Sequence, residues 1–288
     1  MYLSFTLAFA FLIGGLAPQE SPRTERLIEA GEVQRIEINP LNKGSLRISG
    51  WDQPQVQVKA YHSPRISFEI QANHRLIKVE ERRPSRSALE DVRLEIQVPM
   101  GLRLQVIGNM PEVSIEGLEG AVDVNTNQGN IALSNVSGSI RLTSSGGRLE
   151  LSDVGGILRL RTSHEGISVK GLTGDLEAET VSGDILLQGI ASKRIHATSH
   201  QGGIVLEGAL AEDGVYDLAS DNGGLELRLS EPLSASFTVG TVQGDFYCEF
   251  NLQGVQPRKG ERFTFSVGDG AAQVDLLTFR GAIRIGRR

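Results

Sequence analysis

Val122-Asp123-Val124-Asn125-Thr126, Asn127-Gln128-Gly129-Asn130, Ile131-Ala132-Leu133, Ser134-Asn135-Val136-Ser137-Gly138: this stretch is one turn of a repeat, and its recurrence decides the fold. Eighteen residues on, the same pattern of apolar, hydroxyl and glycine positions returns. Val113, Ile131, Leu149, Ile167 and Ile185 form one apolar column, and Ile115, Leu133, Leu151, Val169 and Leu187 a second. Leu118, Val136, Val154 and Leu172 form a third. Val122, Ile140, Leu158 and Leu176 form a fourth, and Val124, Leu142, Leu160 and Ala178 a fifth. A fixed period of this length marks a solenoid, in which each repeat buries its apolar face against the next. Alternation inside each short run sends one side chain in and the next out, which is the strand period. The expected fold is all-β, a single-stranded parallel β-helix of ~18-residue coils preceded by an antiparallel β cap.

Outward from the repeat, residues 102–288 read as the solenoid with closing strands. Small insertions carry the register to Ile195, Ile204 and Leu206, then to Tyr216, Leu218, Leu225 and Leu227. Phe237, Val239, Phe246 and Cys248 are expected to stack on that last coil, with 263–285 closing the end. Eight to nine rungs at about 4.8 Å each give a rod of roughly 40 Å with a dry aliphatic interior. Residues 32–101 hold alternating strands separated by Pro, Gly and Asn turns and show no 18-residue register, so they read as the cap. Residues 18–31 read as a polar linker, and residues 1–17 as a signal peptide ending in the small residues Gly15-Leu16-Ala17. An uncleaved anchor is the other reading of that segment, although ~16 apolar residues are short for a span of ~20.

The chain has 288 residues with 39% hydrophobic and 22% charged content, which is the composition of a folded protein. Glycine, at 34 residues, serves the many tight turns. The net charge of −6, spread along the chain, argues against nucleic acid as a ligand, which wants a basic stripe. The single cysteine, Cys248, excludes a disulfide framework and a cysteine-rich zinc site, and its inward position predicts a buried, inert thiol. No cysteine follows the apolar leader, so a lipid anchor is not expected. No nucleotide loop, nucleophile elbow or paired-histidine zinc motif is present, and no cofactor is expected.

Thr126, Ser144, Thr162, Thr180 and Ser199 stand just before the turns at intervals of 18 or 19. Stacked hydroxyls can bond the turn backbone, and that structural role outweighs a glycan- or calcium-binding ridge. The dense Gly/Asp nonapeptides of calcium solenoids are absent. His164 and His200 are expected on one turn edge two coils apart, with Glu165 and Asp184 nearby. A ladder of successive rungs does not bring such residues to the ~2.0–2.1 Å that a metal needs. The outward column Asp123, Arg141, Arg159, Glu177 and His196 has mixed sign, and Asp123–Arg141 and Arg159–Glu177 are expected to pair across rungs. Trp51, alone of its kind, either stacks on a sugar or packs against the cap. Trp51, His164, Glu165, Asp184 and His200 are therefore the candidates for a ligand surface.

Four motifs stand out: Ile48-Ser49-Gly50-Trp51-Asp52 with Val56-Gln57-Val58, then Val98-Pro99-Met100-Gly101-Leu102, and the turns Val181-Ser182-Gly183-Asp184-Ile185 and Val242-Gln243-Gly244-Asp245-Phe246. Together they resemble the bacterial "putative adhesin" family, a domain of unknown function of β-solenoid type. The segment Ser163-His164-Glu165-Gly166-Ile167 departs from the turn pattern. The resemblance implies an exported or envelope-associated β-solenoid with no established catalytic residues, and it carries over no sites. The function expected is a non-enzymatic envelope protein of the periplasm or cell surface, offering a binding or assembly surface to an envelope protein or a glycan. The alternatives are a regulatory or scaffold partner in the envelope and a carbohydrate-active β-helix enzyme. The enzyme would need a groove with two carboxylates ~5–9.5 Å apart.

Overall fold

The computed structural model describes residues 23–84, 90–252 and 260–288. The expected signal peptide and residues 18–22 of the linker lie outside them. The strands are β1 (Thr24–Glu29), β2 (Arg35–Trp51), β3 (Gln55–Tyr61), β4 (Ser67–Ala72), β5 (Leu76–Arg82), β6 (Val92–Pro99) and β7 (Arg103–Glu119). The regular coils follow as β8 (Val122–Thr126), β9 (Ile131–Ser144), β10 (Leu149–Thr162), β11 (Ile167–Thr180), β12 (Ile185–Ala191), β13 (Arg194–Ser199), β14 (Ile204–Gly208), β15 (Val215–Ser220) and β16 (Leu225–Leu229). The C-terminal part holds β17 (Ala235–Thr241), β18 (Phe246–Cys248), β19 (Arg262–Val267), β20 (Ala272–Thr278) and β21 (Ile283–Arg287). Among the described residues these 21 strands join one sheet and no residue is helical, so the fold is all-β. Among the described residues no helix is long and apolar enough to cross a membrane.

The 18-residue register is the pairing register. Val113, Ile131, Leu149, Ile167 and Ile185 stand opposite one another in parallel pairs, as do Val122, Ile140, Leu158 and Leu176. Every one of them is buried. Each coil contributes two strands, so the solenoid has two parallel ladders whose inward residues share one aliphatic core. The two strands meet at a corner with left-handed backbone at Gly117, Asn135, Asp153, Gly171 and Gly189, again 18 apart. Only Gly, and less readily Asn or Asp, adopts that conformation without strain, which explains the composition of the column.

The hydroxyl column closes the turns. Ser144, Thr162 and Ser199 are buried, and each donates to a turn carbonyl of the preceding coil: Ser144 to Gly129 O, Thr162 to Gly147 O and Ser199 to Gly183 O, all at 3.0 Å. Ser144 and Ser199 also accept, at 2.9 Å, from the N–H of Gly147 and Gly202 three residues on. Those turn glycines lie against the neighbouring turn: a Cβ on Gly147 would fall 1.9 Å from Gly129 O, and one on Gly202 would fall 2.0 Å from Gly183 O. The column is a structural device, as its position in the sequence implies.

Both ends differ from the expected order. The antiparallel cap is present but consists of β1, β3 and β4, which pair antiparallel with β3, β6 and β5 respectively. The other strands of 32–101 belong to the parallel ladders. Ile36 and Ile38 of β2 stand beside Leu104 and Val106, and Leu46 and Ile48 beside Val113 and Ile115. On the far side of β2 lie β5 and β6, also parallel. The repeat therefore starts near Arg35, and the coil spacing there is long because residues 52–102 detour outward to build another rung. At the C-terminal end, β20 and β21 insert between the last regular coil and β17–β18. Phe237 and Val239 thus stack on Val274 and Leu276, not on Tyr216 and Leu218. Cys248 stands beside Ile285 and is half-buried. One ladder now runs β5, β2, β7, β8, β9, β10, β11, β13, β15, β20, β17, with antiparallel β4 and β19 at its ends. Ten steps of about 4.8 Å make a ladder of roughly 48 Å.

Candidate ligand-binding groove

Alternation leaves two outward side chains around each inward one on the second ladder. On five adjacent strands these are Arg93 and Glu95 of β6, Ser45 and Arg47 of β2, Glu112 and Ser114 of β7, Ala132 of β9 with Asn130 just before it, and Glu150 of β10 with Arg148 just before it. Ser45, Ser114 and Ala132 are short, so a hollow opens between charged walls. Its volume is about 770 Å³.

The walls are held in place by their own pairing. The Arg93 guanidinium lies 3.9 Å from the centre of the Tyr61 ring, and its Nε is 3.5 Å from Glu95 Oε1. Arg148 sits 3.7 Å from both Glu150 and Glu165. Its backbone N–H donates to Asn130 Oδ1 at 2.8 Å, and Asn130 Nδ2 donates to Glu112 Oε1 at 3.3 Å. Arg47 is different. It is exposed, faces Glu95 and Ser114 across the ladder, and makes no hydrogen bond or ion pair among the described residues. Its five N–H donors are open to a ligand oxygen.

Glu165 reaches the groove because it breaks the glycine column. It fills the place that Gly147 and Gly183 hold in the turns on either side. Those turns bond through backbone amides, Gly146 N–H to Asn127 O at 2.8 Å and Ser182 N–H to Ser163 O at 3.0 Å. At 163–166 it is the His164 ring, through Nδ1, that lies 2.8 Å from Ser145 O.

The remaining candidates are dispersed. Asp184 Oδ1 accepts from Gly203 N–H at 2.7 Å and braces the next turn. Half-buried Trp51 donates from Nε1 to Gln55 O at 2.7 Å, on the cap side. His200 pairs with Asp221 in a second depression of about 520 Å³ with Arg161 and Glu179. Glu179 and then Glu177 hold the Arg161 guanidinium above its ordinary pKa. His200 does not align with His164: Thr180 stands opposite Ser199, so His200 follows Val181 and Ser163 in the column. The cause is the extra residue between Leu176 and Ile195, whose pairing sets a 19-residue step. Among the described residues no three His, Cys, Asp or Glu side chains converge as metal ligands. Arg159 and Glu177 pair at 3.2 Å as expected, whereas Asp123 and Arg141 face each other without an ion pair.

Sequence reading misses Arg47, Arg93, Glu112 and Arg148. The signal for two of the strands was present: Leu46-Arg47-Ile48-Ser49-Gly50 repeats the pattern of Val113-Ser114-Ile115-Glu116-Gly117.

Fold and groove together define a capped parallel β-solenoid with a charged surface hollow. No protein-family model matches the chain, and no curated protein sequence matches it. Several solved structures are similar to it, three of them as follows. A "putative adhesin" from Bacteroides fragilis shares 12% identity over 94% of this chain and 100% of its own, with a TM-score of 0.40. A "putative adhesin" from Parabacteroides merdae shares 9% over 91% and 95%, with a TM-score of 0.31. A "putative cell adhesion protein" from Clostridium sporogenes shares 10% over 93% and 100%, with a TM-score of 0.24.

Proposed function

We propose that the protein is an exported, non-enzymatic, adhesin-like β-solenoid of the bacterial envelope that binds an envelope glycan or protein in the groove of β6, β2, β7, β9 and β10. The observation that carries this reading is Arg47, an open guanidinium in a hollow whose other arginines are already engaged. The hollow offers a flat floor of Ser45, Ser114 and Ala132 and a charged rim, a shape suited to an extended polar chain lying along the ladder. No aromatic ring lines it, so recognition rests on charge and hydrogen bonds rather than sugar stacking. The groove carboxylates Glu95, Glu150 and Glu165 stand beside arginines, and Glu112 accepts from an amide. That suits binding better than acid–base work, where one carboxyl needs an apolar site.

Residues 18–288 are to be screened on a glycan array and in pull-downs from envelope extracts. Retention is expected, with a ten- to hundredfold loss in Arg47→Gln, the range for a charge-assisted hydrogen bond of about 1.5–3 kcal/mol. Ala132→Trp, which fills the floor, should abolish it. Both sites are exposed, so melting should shift little. Retention unchanged in both variants would overturn the groove assignment. Release of reducing ends from a retained glycan would overturn the non-enzymatic one.

A further inference from the structure

A parallel ladder leaves two rows of unpaired backbone groups, one at each end, and proteins guard such edges with charge. The N-terminal edge of the second ladder is guarded. Its outermost strand β1 places Arg26 at an inward register position, opposite Val58, where Thr24 and Ile28 face Ala60 and Val56. Two such strands paired about a two-fold axis at Arg26 would oppose Arg26 with Arg26. An axis at Leu27 would oppose Glu25 with Glu29. Like charges directly opposite are destabilising.

The C-terminal edge of the first ladder carries no such guard. The first ladder ends on β19, whose inward positions are Phe263, Phe265 and Val267, opposite Val239, Phe237 and Ala235. Phe265 stacks on Phe237 at 5.0 Å, and Phe263 meets Phe246 edge-on at 5.1 Å. Phe265 is buried, but Phe263, Phe246 and Val267 are only half-buried. The outward positions are Arg262, Thr264 and Ser266, and the outer edge of β19 pairs with no described strand.

We infer that β19 is a self-pairing edge: two copies of the chain join tail to tail, their β19 strands antiparallel about a two-fold axis at Thr264. In that register Phe263 of each copy faces Phe265 of the other, Thr264 faces Thr264, and Arg262 faces Ser266. Inward residues meet inward residues and outward meet outward, as an antiparallel pair requires. No like charges oppose one another. Threonine pairs and aromatic pairs across strands are favourable. The interface is isologous and occupies the β19 edge of both copies, so assembly through this edge stops at two.

Sedimentation or light scattering of residues 18–288, at up to about 100 µM and thus far above a micromolar dissociation constant, should give twice the chain mass. Thr264→Glu and Thr264→Lys should each be monomeric, because each opposes a charge with itself. An equimolar mixture of the two should recover the dimer. Thr264 is exposed, and the contact it gives up is a 3.5 Å approach to Thr238 Oγ1, so both variants should melt like the parent. Groove ligand retention should be unchanged in either, which separates this proposal from the previous one. A monomeric parent, variants that stay dimeric, a mixture that stays monomeric, or species growing beyond two with concentration would each overturn the inference.

Discussion

Tyr216 occupies an inward column filled by Val, Ile and Leu in the preceding coils, and it is among the largest fully buried side chains. A phenol there needs partners, because a buried hydroxyl without them costs about 1–3 kcal/mol. It has two: the hydroxyl donates to Ser192 O at 2.7 Å and accepts from Ala211 N–H at 2.7 Å. The bonds tie the 211–214 loop to the corner before β13, where the coil lengthens from 18 residues. Burial pushes the phenol above its ordinary 10.0. The folded state therefore holds the proton at pH values where the unfolded chain has lost it. The stability this represents is complete below pH 10 and is lost as pH rises through the folded-state value. Tyr216→Phe should cost about 1–3 kcal/mol at neutral pH, since Ala211 N–H and Ser192 O lose their partner. Urea unfolding of parent and variant should show that gap narrowing above pH 10. A gap that stays constant there would refute the linkage.

At the scale of the element, the repeat was legible because everything that forms it lies within one coil. Apolar columns, hydroxyls and corner glycines recur at 18 because each stacks on its own counterpart, as Val136 does on Val154. The outward positions stack as regularly but obey no period, since solvent accepts any polar side chain. The groove was therefore invisible in composition, and its sequence traces are Glu165 standing in a glycine column and the recurrence of the β7 pattern in Leu46-Arg47-Ile48-Ser49-Gly50. The same asymmetry sets a test of register. Leu151 is 3% exposed between Leu133 and Val169, and Leu151→Asp would bury an unpaired charge at a cost of several kcal/mol. Arg141→Ala, on the outward side of β9, should change stability by less than about 1 kcal/mol. Thermal melting of the two variants should differ widely, and equal shifts would contradict the register.

For the whole molecule, chain order and spatial order agree only in the middle. At the N-terminal end the chain lays β2, adds an outer rung of β5 and β6, and returns past β2 to β7; at the C-terminal end it lays β17 and β18 outside and returns to fill the place inside with β20 and β21. The partners that result, such as Ile36 with Leu104 or Phe237 with Val274, are separated by a detour whose length the coil period does not set. That is why the coil spacing alone places Phe237 on Tyr216 and assigns β2 to the cap. The arrangement makes the last residues internal. β20 and β21 bridge the regular coils to β17, β18 and β19, so removing residues 271–288 would open a gap one rung wide between them. The aromatic end cap could then reach the core only by shifting about 4.8 Å. Truncation after Gly270 should consequently release 230–270 to proteolysis and lower the melting temperature steeply. Deletion through Gly31 removes only β1, a strand at the outer edge of β3, and should give a small shift with the solenoid still protected. Limited proteolysis and melting curves of the two truncations test this directly: comparable, mild effects would mean that the C-terminal strands close the rod from outside instead of holding it together from within.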